Sequence, residues 1–168
     1  MFGPLCKAMV VACAVIGLVS IPGAPEVHAE PPGFPDLAAF TEAPLSVDYS
    51  RPDKSANGYS FFRTPDGLNC MAGSLVRCSG SLPGLPTAQF GDCASVRQSH
   101  EQAEDGGPFA FAKDSTCRDE PDQLLDVGQK LTLVSNYTTT CVVGANRLTA
   151  CIRAGHGFVL QPSGSWVF

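Results

Sequence analysis

The sequence predicts a mainly β protein, a small disulfide-stapled antiparallel sheet or barrel with a loop-rich middle and at most one short helix. Three observations carry that expectation. From residue 130 onward, five short β-branched or alternating runs recur about every ten residues, the rhythm of strands joined by tight turns. The 168 residues include 17 glycines and 14 prolines, above the usual combined share of roughly 12%. Cysteine is abundant, with 8 in all. Charged residues make up only 16%, which excludes a charge-driven disordered chain and a coiled coil. A net charge of −5 without a Lys/Arg run argues against nucleic-acid and polybasic membrane binding.

Residues 1–29 read as a secretory signal. Lys7 precedes an apolar tract, residues 8–21, which as a helix spans ~21 Å and falls short of a ~30 Å hydrocarbon core. Pro22, Gly23 and Pro25 break that helix, and Val27-His28-Ala29 offers a cleavage site before Glu30. The alternative is an uncleaved N-terminal anchor, the only route by which a membrane enters the expectation. Residues 30–57 carry Pro31, Pro32, Pro35, Pro44 and Pro52 and read as a Pro-rich linker or N-terminal arm, with a short helical turn at residues 37–40. Residues 58–168 form the disulfide-stabilised β domain.

Within that domain residues 59–63 are a strand, and Thr64-Pro65-Asp66-Gly67 is a β-turn with proline at its second position. Residues 68–72 and 75–78 make the first hairpin. Pro83, Gly84, Pro86 and Gly91 mark a loop, residues 94–104 read as a weak helix, and Phe109 and Phe111 alternate in a short strand. Residues 130–134, 138–143, 147–152, 158–160 and 166–168 complete a meander.

Removing the signal takes Cys6 and Cys13 and leaves Cys70, Cys78, Cys93, Cys117, Cys141 and Cys151, an even set with no Cys-x-x-Cys zinc knuckle. Six cysteines allow 15 pairings, among which sequence alone does not choose. Hairpin geometry gives a preference: Cys70 with Cys78 across Gly73-Ser74, and Cys141 with Cys151 across Gly144-Ala145-Asn146, which leaves Cys93 for Cys117.

Charge is uneven along the chain. Acidic residues crowd residues 92–126, whereas residues 127–168 hold Lys130, Arg147 and Arg153 and no acid. This reads as a solvated acidic insertion partly neutralised by the C-terminal sheet, or more sharply as a two-faced surface that meets a charged cell-envelope polymer. Catalytic motifs are missing: there is no Gly-x-Ser-x-Gly elbow, phosphate loop or His-Glu-x-x-His. His100 sits beside Glu101, Glu104 and Asp105, an arrangement expected of a solvated loop. His156, in Gly155-His156-Gly157-Phe158, is the remaining functional candidate, weighed against a structural histidine that bonds a nearby carbonyl. Asp119-Glu120-Pro121-Asp122 lacks the alternating ligands and central glycine of a calcium loop, Asn136-Tyr137-Thr138 is a formal glycosylation acceptor, and Trp166 reads as core. No catalytic residue, metal or cofactor is expected.

Phe62-Arg63-Thr64-Pro65-Asp66-Gly67 before Cys70, Leu125-x-x-Gly128, Cys141, Thr149-x-Cys151 and Gly155-His156-Gly157-Phe158 form an ordered set. Over residues 58–168 it resembles a family of exported actinobacterial, notably mycobacterial, proteins with a "TPSGN…C" start and a C-terminal "GHGF" motif. Asp66 stands where that family has serine, and Leu68-Asn69 shortens the segment before Cys70. The resemblance implies location and fold type and carries no mechanism. The expected function is a secreted or envelope-associated, non-enzymatic binding or interaction domain with an unidentified envelope or extracellular ligand. The alternative is a small exported hydrolase-like enzyme centred on His156 or His100.

Overall fold

The computed structural model describes residues 31–50, 58–98, 107–115, 117 and 123–168. Residues 1–29, with the expected signal, and the His100 cluster lie outside the described residues.

A two-residue strand, β1 (Thr41–Glu42), opens the structure. β2 (Ser60–Arg63), β3 (Asn69–Ala72), β4 (Arg77–Gly80), β5 (Ala94–Gln98) and β6 (Phe109–Lys113) follow as an antiparallel five-stranded sheet in sequential order. β7 (Gln129–Leu133), β8 (Thr139–Gly144), β9 (Leu148–Arg153), β10 (His156–Leu160) and β11 (Trp166–Val167) form a second antiparallel meander, and β1 adds to its β7 edge in parallel. The result is the mainly β, disulfide-stapled architecture that the sequence predicts, arranged as two sheets, neither of which closes on itself.

Period-two alternation explains how they meet. In the five-stranded sheet Phe62, Cys70, Cys78 and Val96 stand opposite one another across four strands. In the six-stranded sheet Leu131, Cys141, Cys151 and Phe158 do the same. Side chains at successive residues leave a strand on opposite faces, so each row lies on one face, and the two rows share one hydrophobic core. Phe109 of β6 meets Phe158 of β10 edge-on, with ring centroids 5.3 Å apart, and Thr139 Oγ1 donates to the Gly73 carbonyl at 3.0 Å, tying β8 to the turn after β3.

The disulfides follow from this register. Cys70–Cys78 and Cys141–Cys151 join directly opposed residues of neighbouring strands, each with Cα atoms 4.1 Å apart. Cys93–Cys117, with Cα atoms 5.1 Å apart, ties the residue before β5 to the chain beyond β6.

The N-terminal segment is docked. Asp36 caps a 3-10 turn at Leu37–Ala39, its carboxylate accepting from the Ala38 N–H. Phe34, Leu37 and Phe40 then cover Val142, Ala150, Val159, Trp166 and Phe168 on the outer face of the six-stranded sheet. This second layer explains why all six residues of β8 are buried: the other sheet covers one face and the arm the other. Further along, Tyr49 is buried in the main core, and its carbonyl accepts from the Phe61 N–H of β2 at 2.7 Å.

One element differs in kind from its expectation. Residues 94–104 read as a weak helix, but Ala94–Gln98 is strand β5, paired on both sides by β4 and β6; residues 99–104 lie outside the described residues. Ala94, Ser95, Val96 and Gln98 are all buried, at 1%, 0%, 0% and 2% exposure, and only Arg97 is exposed. With only Val96 as a large apolar anchor, local pattern was weak, and two flanking strands that each needed hydrogen-bond partners decided the conformation. The α-helical turn, α1 (Thr87–Phe90), lies instead in the loop after β4, between Pro86 and Gly91.

Candidate functional site

The two ends of the sandwich carry different chemistry. At one end the β9–β10 hairpin places His156 directly across from Arg153, which in turn faces Thr139 on β8. These three side chains share the inner face of the sheet. Arg153 is only 2% exposed, and its guanidinium lies 5.1 Å from the Tyr137 ring, a cation–π contact. Burial lowers its pKa from the ordinary arginine value, while Tyr137 and Tyr59 act in the opposite sense. Beside it, Ser74 Oγ donates to Tyr59 Oη at 2.6 Å. The residue that register brings to half-buried His156 is therefore a guanidinium rather than a carboxylate or a nucleophile. The turn before this row, residues 134–138, is exposed and holds the Asn136-Tyr137-Thr138 acceptor; Trp166 lies with the second apolar cluster, against the arm.

The opposite end carries a cleft between the two sheets. On the five-stranded side, the Gly67 N–H donates to the Thr64 carbonyl at 3.0 Å, closing the predicted β-turn. Fully buried Thr64 accepts from the Leu68 N–H through its hydroxyl and donates that hydroxyl to Asp66 Oδ1 at 2.5 Å. Asp66 is held in place by its own turn. On the other side, Asn146 and Arg147, between β8 and β9, both have positive φ, at 57° and 60°. Such a turn matches the twist of a hairpin, but its second position favours glycine. Arg147 Nε donates to Asp66 Oδ2 at 3.2 Å, and Nη2 donates to the Ser81 carbonyl at 3.3 Å. Pro65, Val127, Val143 and Gly144 complete a cleft of about 170 Å³.

Energetics make this turn notable. The left-handed conformation costs a non-glycine residue about 1–2 kcal/mol. A surface ion pair returns about 0–1 kcal/mol, and the Arg147 side chain is 47% exposed. The ion pair by itself therefore does not account for arginine at a position glycine would fill without strain; the Nη2 bond to the Ser81 carbonyl is the other contact set against that cost.

The charge pattern along the chain does not become a positive face. Lys130 Nζ donates to the Leu37 carbonyl at 3.0 Å and lies 3.7 Å from Glu42, Arg147 pairs with Asp66, and Arg153 is inside the sandwich. Asp114, from the acidic stretch, pairs with Arg77 instead. Each C-terminal base is thus spent on a different local contact. Among the described residues no group of three or more His, Cys, Asp or Glu could hold a metal ion, and no helix is long and apolar enough to cross a membrane.

Sequence reasoning singled out His156 and passed over Asp66 and Arg147. Thr64-Pro65-Asp66-Gly67 was legible as a turn and Asn146 as a turn residue, but these segments lie some 80 positions apart, and nothing local says they meet. Comparison with protein-family models, with curated proteins and with solved structures gives no match.

Proposed function

We propose that this protein is an exported, disulfide-stapled binding or interaction domain of the cell envelope or extracellular space. The observation that carries the reading is the use of Cys70, Cys78, Cys93, Cys117, Cys141 and Cys151 in three intramolecular disulfides. Such bonds form and persist in oxidising compartments. The signal-like residues 1–29 and the resemblance to exported mycobacterial proteins support the same location. The Asp66–Arg147 cleft supports a binding role, because it joins an apolar wall to a charged edge at the mouth of a braced scaffold.

The test is recovery of the protein from the producing cell. The mature form should begin at Glu30 and contain no thiol that alkylates before reduction. A chain beginning at Met1 in the membrane fraction would instead mean an N-terminal anchor, and free thiols would refute the disulfide-based assignment of compartment. Replacing His156 and His100 by alanine should leave envelope association unchanged; loss of a hydrolytic activity in that variant would overturn the non-enzymatic reading.

A further inference from the structure

We infer that the Asp66–Arg147 cleft is a binding site for a monocarboxylate attached to a single compact apolar group, such as a valine-sized residue at a peptide C-terminus or a free acid of that size. The inference rests on the binding-domain reading and names the ligand class of that domain's cleft.

Size comes first. At about 170 Å³ the cleft is below the usual range of small-molecule pockets, roughly 300–1,000 Å³. It is close to the ~150 Å³ of a cavity that accommodates benzene. It therefore admits one side chain, not an extended ligand. Pro65, Val127 and Val143 supply apolar walls, and Val127 is 52% exposed, an apolar surface left open to solvent at the cleft.

Charge comes second. Both Asp66 oxygens are engaged, Oδ1 by the Thr64 hydroxyl and Oδ2 by Arg147 Nε. The guanidinium is engaged through Nε and Nη2, and Nη1 has no partner among the described residues. The group left to meet a ligand is therefore the charged Nη1 donor, which suits a carboxylate oxygen. Asp66 at the same edge disfavours a doubly charged phosphate and selects a single negative charge.

Backbone conformation comes third. Arg147 holds φ at 60°, where glycine would be relaxed, and its ion pair does not offset that strain. Ala154 holds the same conformation at φ 51° in another turn, so what sets Arg147 apart is that its strained position carries a cationic side chain to the cleft edge. Asp66 and the Ser81 carbonyl then serve as the brace that fixes the guanidinium before a ligand arrives.

The experiment is a titration of the ¹⁵N-labelled, fully oxidised protein, residues 30–168, with four probes: N-acetylvaline, N-acetylvalinamide, and a hexapeptide ending in valine with a free or an amidated C-terminus. Saturable amide shifts at residues 66–67, 127 and 143–148 are expected with both acids, and amidation should weaken each at least tenfold. If only the peptide acid binds, the source is a protein C-terminus; if both bind equally, the site reads the terminal residue alone. Arg147→Gly is the decisive variant. It should bind the acids at least tenfold more weakly while its melting temperature is unchanged or raised. Equal binding of acid and amide, retained affinity in Arg147→Gly, or no saturable shifts for any probe would overturn the inference. Envelope association of Arg147→Gly at the wild-type level, together with failed titrations, would refute the cleft while leaving the binding-domain reading standing. Recovery of the wild-type protein inside the cell with free thiols would refute that reading.

Discussion

Removing the Cys141–Cys151 disulfide separates two effects that are usually merged. Both cysteines are fully buried between the sheets and directly opposed on β8 and β9. The bond closes a loop of about 11 residues, which in the chain-entropy model restrains the unfolded chain by about 2.8 kcal/mol. Replacing both cysteines by alanine also deletes two buried sulfur atoms, adding about 1–2 kcal/mol for lost contacts and residual space. The double-alanine variant should therefore lose about 4–5 kcal/mol, a large part of the net stability typical of a domain. A valine–alanine pair at the same positions refills most of the volume and should lose only about 3 kcal/mol. The control is Cys93→Ala with Cys117→Ala. That loop of about 25 residues contributes about 3.5 kcal/mol of chain restraint, but its cysteines are partly or fully exposed, so little packing goes with it. Equilibrium urea unfolding of all three variants, with oxidation of the remaining pairs checked by mass, gives the comparison. If the valine–alanine pair were no more stable than double alanine, the packing part of this account would be wrong. If removing Cys141–Cys151 cost less than about 2 kcal/mol, the entropic part would fail as well.

Phe34→Ala should destabilise by about 2–3 kcal/mol, since it empties the place where Phe34 meets the Phe168 ring edge-on at 5.6 Å; hydrogen exchange should then speed up at residues 31–43 ahead of the core strands. Phe158→Ala removes a fully buried ring from the inter-sheet core and should cost about 3–5 kcal/mol, measured by thermal or urea unfolding. Gly157→Ala should destabilise markedly as well, because an added Cβ would sit 2.4 Å from the Cys151 carbonyl oxygen and 2.6 Å from Phe168 Cζ. At alkaline pH, burial holds the Tyr49 phenol above its ordinary pKa of 10.0. The unfolded chain ionises first, so this contribution is whole below pH 10 and is lost as pH rises through the folded value. Tyr49→Phe should lose about 1 kcal/mol at neutral pH with its hydrogen bond to the Leu124 carbonyl, and its stability should fall less steeply above pH 10 than that of the wild type.

How much of the fold was legible depends on where its information lay. The C-terminal meander could be read because Leu131 and Leu133, the threonine-rich run into Cys141, and the Gly and Pro punctuation are local signals of strand and turn. The same holds for the first hairpin, whose Gly73-Ser74 turn and opposed cysteines lie within a dozen residues. β5 was misread because Ala94–Gln98 carries little pattern of its own and takes its conformation from β4 and β6. The Pro-rich arm gave no sign that Phe34 and Phe40 would roof the second sheet, since a face needing cover exists only once β7–β11 have paired.

The sequence by itself therefore determined the β class, the turns, and a cysteine set that can close across hairpins, because strand period and turn chemistry act over a few residues. Only the tertiary structure decided that there are two sheets rather than one, that Arg153 is sealed between them, and that Asp66 and Arg147 meet at one cleft. Those outcomes depend on which apolar faces pack together. Burial is non-directional and acts between segments far apart in the chain, so no local window of sequence encodes it.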